Sequence, residues 1–217
     1  MSKKDAILDV AEIAGKTAIS LIPVGGALAT AIYDTVKGNA LAKRQEQWQR
    51  TLEDRISKIE ETLESIGNNE LFTTALVKAT ELAMRTSREE KMSYLANAVI
   101  SSLAPNIDEE KLIIYLDLLD KYTISHIKII KFFNNPTHFA KASNSPYMVG
   151  SPTTVLFQAF PELDTVLFKK VYKDLYIDGM VTTENLNITV TGSAMVAKRT
   201  TELGDDFLRF ILGSATK

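Results

Sequence analysis

The chain has 217 residues, 45% of them hydrophobic and 24% charged, with 25 basic against 27 acidic side chains, two His and no Cys. Those are values of a globular chain long enough for one large or two small domains, and they exclude collagen-like, disulfide-stapled and wholly disordered classes. The lack of Cys also excludes thiolate zinc sites, iron–sulfur clusters and thiol nucleophiles.

Lys3 and Lys4 precede an apolar run, but Asp5, Asp9 and Glu12 intervene, which argues against a secretory leader. Thr17 to Tyr33 is uncharged over 17 residues. As one helix it would span about 25 Å, at the lower edge of what crosses a bilayer. Pro23 interrupts helical hydrogen bonding at Ile22, and Gly25 and Gly26 weaken it further, so two helices are expected to meet at a hinge over 23–26. A hinge folded back into a water-soluble bundle is the favoured reading. The alternative is a membrane-active segment over residues 6–33, with the small Ala14, Ala18, Gly25, Gly26, Ala29 and Ala31 allowing close helix approach.

From Ala27 to Ile66 there is no Pro and one internal Gly, Gly38, which predicts a long helix or two nearly collinear ones. Leu52, Ile56, Ile59, Leu63 and Ile66 recur at spacings of four and three, a coiled-coil-like seam suited to self-association in a homo-oligomer. Glu46 with Arg50 and Asp54 with Lys58 are opposite charges one turn apart on the outside. Gly67 is expected to end the element. Asn68 or Asn69 caps the next helix, Ser87 with Glu90 forms a capping box for another, and Asp108 opens a further one. Residues 1–122 therefore read as a helical bundle, carrying 15 basic and 19 acidic side chains, a balance of minus four.

The pattern changes near Thr123. A helix from Ser125 to Phe133 is followed by a stretch rich in Asn, Ser, Pro and Gly, read as a loop over 134–152. A short helix, Val155 to Phe160, precedes a longer one, Glu162 to Asp178, stopped by Gly179. Met180 to Thr183 reads as a strand, Asn185 to Asn187 as a turn, and a second extended segment lies between Ile188 and Thr200. Thr201 caps a closing helix whose apolar face is Leu203, Phe207, Phe210 and Ile211. Residues 123–217 carry 10 basic and 8 acidic side chains, plus two.

This element order, with Arg199-Thr200-Thr201-Glu202-Leu203-Gly204 at its end, resembles winged-helix domains, in which a Thr-x-x-Gly follows the wing. The expected fold is thus mainly α: an amino-terminal helical bundle with a long coiled-coil-like helix, then a small α+β winged-helix-like domain. On the third helix of that module, Leu163, Val166, Leu167, Val171 and Leu175 read as the buried stripe. Thr165, Lys169, Lys170, Tyr172, Lys173 and Tyr176 then lie on the other side. With Lys198 and Arg199 on the wing, they form a surface for a protein partner or for nucleic acid. Nucleic acid is the less favoured occupant, because Asp174 and Asp178 sit on the same helix and the module's net charge is small.

No catalytic motif stands out. Gly15-Lys16-Thr17 matches the end of a phosphate-binding loop, but the first glycine that motif requires is replaced by Val10. His126 and His138 are twelve residues apart with no carboxylate completing a ligand set. Adjacent acids such as Glu109 and Glu110 point about 100° apart on a helix, which suits no carboxylate dyad. The expectation is a non-enzymatic chain with no cofactor and no metal.

Three stretches carry a wider likeness. They are Leu21-Ile22-Pro23-Val24-Gly25-Gly26, then Arg85-Thr86-Ser87-Arg88-Glu89-Glu90-Lys91 leading into Tyr94-Leu95-Ala96-Asn97-Ala98, and the step from Asp117-Leu118-Leu119-Asp120 into Ser125-His126. In layout the chain resembles bacterial helical proteins of the abortive-infection-alpha type over much of residues 15 to 135. That resemblance implies a cytoplasmic bacterial protein acting in phage defence, with no catalytic residue to carry over. The hinge is also similar to the amino-terminal bundles of HeLo-like cell-death effectors, which implies membrane association on activation. The function expected is a self-associating interaction protein that docks a macromolecular partner. A membrane-permeabilising effector and a DNA-binding regulator are the rivals.

Overall fold

The computed structural model describes residues 40–59, 66, 68–142, 149–186 and 188–213. The hinge at Pro23, Gly25 and Gly26, the membrane-active alternative over 6–33, and Leu63, Gly67 and Asn187 lie outside the described residues. The described chain is mainly helical, and none of its helices is long and apolar enough to cross a membrane. Two compact units divide it: residues up to Asp120 together with those from Phe210 onward, and Lys121–Arg209.

In the first unit, α1 (Ala42–Ile56), α2 (Glu70–Arg85) and α3 (Glu89–Ser101) pack on one another, and α4 (Glu109–Lys121) follows. Trp48, Leu52 and Ile56 recur every four residues on α1 and are buried. The Trp48 indole N–H donates to Thr80 Oγ1 at 3.1 Å, and that hydroxyl donates to the Leu76 carbonyl at 2.7 Å. Every polar atom of this inserted pair is thereby satisfied. Ala75, Ala79 and Ala83 give α2 a narrow buried face. Asn69 caps α2, accepting from the Phe72 amide at 3.0 Å, and Asp108 accepts from the Lys111 amide at 2.8 Å ahead of α4. Ser87 does not cap α3: the helix begins after Arg88, whose amide is taken by Thr86 Oγ1.

Of the long helix, or two nearly collinear ones, expected over Ala27 to Ile66, the described residues hold α1, which ends at Ile56. Ser57 turns its hydroxyl onto the Asp54 carbonyl, and the amides of Lys58 and Ile59 bond three residues back, to Arg55 and Ile56. This side-chain competition and tightened last turn close the helix without Gly or Pro. Both exposed charge pairs form, Arg50 to Glu46 at 2.6 Å and Lys58 to Asp54 at 2.8 Å.

In the second unit, α5 (Ile124–Asn134) packs against α8 (Thr165–Ile177), with α6 (Pro136–Ala142) and α7 (Pro152–Ala159) between them in sequence. The stretch 134–152, read as a loop, contains α6 and a two-residue strand, β1 (Val149–Gly150). Asn135-Pro136, taken as a stop, is also a start: Asn135 Oδ1 accepts from the His138 amide at 3.3 Å and Pro136 supplies a helical first turn. Ser151 and Pro152 repeat the device at α7, and Asp164 caps α8 by accepting from the Leu167 amide at 2.7 Å.

Extended structure among the described residues is slight. β1 pairs antiparallel with β2 (Val190–Thr191), Val149 opposite Thr191 and Gly150 opposite Val190, and a single bridge joins Val181 to Thr200. The strand expected over Met180 to Thr183 shrinks to that bridge, flanked by Thr182 N–H to Arg199 O at 2.8 Å and Thr201 N–H to Met180 O at 3.1 Å. The next carbonyl, that of Thr183, is taken by the Tyr172 hydroxyl instead.

The Thr-x-x-Gly stretch opens α9 (Glu202–Leu212). Thr201 Oγ1 accepts from the Gly204 amide at 3.0 Å and donates to the Gly179 carbonyl at 2.6 Å. Gly179 stands at φ +72°, the left-handed region that ends α8. A Cβ on Gly204 would lie 2.3 Å from the Met180 carbonyl oxygen, so only glycine permits this approach of helix to bridge.

Candidate functional site

Helix α8 buries Phe168, Val171, Tyr172 and Leu175. Of the stripe expected to be buried, Val171 and Leu175 are, but Val166 is 79% and Leu167 52% exposed, and Ile177 at the other end is 66% exposed. At 100° per residue, Val166, Lys170, Lys173 and Ile177 fall within about 60° of one another, with Lys169 on one flank and Leu167 on the other. The exposed face is therefore apolar at both ends and cationic between, about 16 Å long. Two stripes fit the helical period here. The aromatic one wins because Phe168 packs against Phe157 at 5.2 Å and Tyr172 against Phe133 at 5.5 Å between ring centroids, burying larger side chains than Val166 and Leu167 offer.

Thr165, Lys169, Lys170, Lys173 and Tyr176 all lie on the exposed side of α8, as expected, whereas Tyr172 does not. Lys169 and Lys173 have no ion pair among the described residues, while Lys170 bonds Asp174 at 2.5 Å. The two cations expected on a wing are committed within the chain. Lys198 pairs with Asp205, and Arg199 donates to the Ala194 carbonyl at 2.7 Å. Asp205 also accepts from Thr200 Oγ1 at 2.5 Å and Asn134 Nδ2 at 2.7 Å, tying α5 and the bridge to α9. Burial alone would raise its carboxyl, but the Lys198, Thr200 and Asn134 donors together hold it below the ordinary carboxylate range.

A polar cluster lies along the inner flank of α8. Asp178 accepts from Tyr122 Oη at 2.9 Å and from Lys121 Nζ at 2.7 and 2.6 Å. The Tyr122 ring stacks on His126, centroids 4.9 Å apart and planes 9° from parallel. His126 is 5% exposed, and its Nε2 faces Asp174 Oδ2 at 3.5 Å, too long for a good hydrogen bond. Burial pushes the imidazole below its usual pKa against the pull of Asp174, whose own carboxyl is held low chiefly by the Lys170 hydrogen bond. Burial and then the Asp178 hydrogen bond raise the Tyr122 hydroxyl. Every carboxylate here is occupied by a cation or a hydroxyl, a bracing pattern for α8. Sequence reading passed over it because Lys121, Tyr122, Asp174 and Asp178 converge only after folding.

Among the described residues the expected seam is not a surface. Leu52, Ile56 and Ile66 are buried by their own chain, and Ile59 follows the end of α1, half-buried. What remains of the seam among the described residues faces inward, a correction that follows from α1 packing against α2 and α3. No group of His, Asp and Glu able to hold a metal ion occurs among the described residues.

No protein-family model, curated protein or solved structure matches the chain. The likeness to abortive-infection-alpha proteins rests on the quoted sequence stretches alone.

Proposed function

We propose that the second unit is a winged-helix-like module that docks a protein partner through the exposed face of α8, and that the chain works by binding, not by catalysis. The observation that carries this reading is the exposure of Val166, Leu167 and Ile177 around Lys169 and Lys173. Three large apolar side chains on one helix face bury well against a protein and poorly against phosphates. Lysines between them select an acidic rim on that partner. The winged-helix-like part of the reading is supported by the order of α5, α7 and α8, by the antiparallel pairing of residues 149–150 with 190–191 and of Val181 with Thr200, and by the Thr201 and Gly204 turn. Lys198 and Arg199, the wing cations a DNA reader would spend on phosphates, are bonded within the chain.

The test is a photo-crosslinking residue placed at 166 or at 177 in cells that make the protein. One acidic protein trapped from both positions, and lost in Lys169→Glu/Lys173→Glu, is the expected result. Crosslinks to nucleic acid instead, or a yield unchanged by the charge reversal, would overturn it.

A further inference from the structure

His126 is the third residue of α5 and is capped on Thr123. The Thr123 amide donates to Nδ1 at 3.2 Å, and Thr123 Oγ1 lies 2.9 Å from the same nitrogen. A backbone N–H can only donate, so Nδ1 carries no proton in this arrangement and the neutral imidazole is the Nε2–H tautomer. Its Nε2 points to Asp174 without a hydrogen-bond partner, because Asp174 is drawn to Lys170 on the outside of α8. Asp174 thus stands between two cation sites, one buried and one exposed, and only the exposed one is filled.

We propose that His126 is a proton-operated latch on α8: a proton taken from solvent at Nδ1 breaks its acceptor bond to the Thr123 amide and moves Asp174 from Lys170 to the imidazolium, releasing Lys170 onto the exposed stripe. Nδ1–H then donates to Thr123 Oγ1, and Thr123 is itself exposed, so the proton has a route in. The groups facing the ring are Asp174 and Lys170 from α8, Lys121 and Tyr122 from the end of α4 and the link to α5, and, through Tyr122, Asp178. Lys121 is neutralised by Asp178 and Lys170 by Asp174, which leaves Asp174 as the one group able to answer a new charge on the ring. Burial disfavours that charge, so the latch closes below the pH at which an ordinary histidine titrates. In its acid form the docking stripe carries one more unpaired cation. That consequence rests on the docking reading, but the latch itself does not.

The test uses the labelled full chain with no partner, following imidazole nitrogens, the Lys170 side chain and the Asp174 carboxyl by NMR from pH 8 to pH 5. The expected result is an Nε2–H tautomer at pH 8, a His126 midpoint below about 6.5, and Asp174 and Lys170 signals that move at that same midpoint. Asp174→Asn should lower the midpoint further, and Lys170→Met should raise it by leaving Asp174 to the ring. An Nδ1–H tautomer, Asp174 and Lys170 signals that stay flat through the His126 transition, a midpoint indifferent to both variants, or global unfolding coincident with protonation would each overturn the latch. A docking failure shows only in the crosslinking experiment, so the two outcomes are separable.

Discussion

The two units are held by different chemistry. In the first, buried polar side chains are neutral or serve helix ends: Trp48 bonds Thr80, Arg44 caps the Met84 carbonyl, and Asn97 and Ser101 take the Ile211 and Phe210 carbonyls. The last three satisfy carbonyls that a helix end leaves open, and the strength of all four does not depend on a proton titrating between pH 7 and acid. In the second, Asp178 and Asp205 are each gripped by a lysine plus a hydroxyl or amide, and Asp174 by Lys170 with the His126 ring facing it. Between pH 7 and acid the second unit should therefore weaken first. Burial gives His126 a folded pKa below its unfolded 6.5, so its contribution is full above 6.5 and is lost as pH falls through the lowered value. Asp174 and Asp205 lie below 3.8, so theirs is full above 3.8 and is lost as pH falls through their depressed values. Asp54 of the first unit is also lowered, chiefly by Lys58, but that pair is exposed and contributes little.

One of the two largest effects should come from the first unit's core. Trp48→Ala removes the only tryptophan, which is fully buried, and should cost about 3 to 5 kcal/mol. Denaturant unfolding followed by circular dichroism measures it, and the loss should be the same at pH 7 and pH 5. A pH-dependent loss would erase the contrast between the units. In the second unit, Gly204→Ala places a methyl against the Met180 carbonyl, which cannot retreat without breaking the Thr201 to Met180 bond. A loss of about 1 to 3 kcal/mol is expected. Gly192→Ala, at φ +54° but with nothing within 4 Å, should cost about 1 kcal/mol from backbone strain alone.

Asp205→Ala should cost about 2 kcal/mol at pH 7, since Thr200 and Asn134 lose a charged acceptor. The sharper expectation is its shape. The gap between wild type and variant should narrow as pH falls through the depressed Asp205 value, because the wild-type carboxylate is then protonated too. Paired denaturation series from pH 7 to pH 2 provide the comparison, and a gap constant over that range would show that Asp205 works by packing alone.

Much of this was legible in short-range chemistry. Asn69 and Thr201 cap where side-chain oxygens precede an apolar period, and Gly204 is required three residues after Thr201 for a reason the fold makes plain. Longer-range choices were not legible. Leu52 to Ile66 keeps a heptad spacing through a helix end that carries no breaker, because Ser57 closes it by bonding backward. Asn135-Pro136 reads equally as an end or a beginning, and only packing of the residues after it decides. The bracing cluster joins Lys121 and Tyr122 to Asp178 across 57 and 56 residues, and no local pattern announces it.

The smallest stability effect is the most informative about function. On α8 both stripes fit the same period, so orientation has to be tested at positions that differ between them. Val166→Asp and Ile177→Asp change side chains already in water and should move stability by no more than about 0.5 kcal/mol. Phe168→Ala, on the opposite side, should cost about 3 to 5 kcal/mol, because it opens a cavity beside Phe157 and Tyr172. Equal losses at Val166 and Phe168 would mean that Val166 is covered within its own unit and that the exposed apolar ends are not there for a partner to cover. A silent Val166→Asp that keeps the fold intact but abolishes the crosslink from position 177 would separate docking from folding on one helix. It would do so because exposed apolar area contributes nothing until a partner covers it.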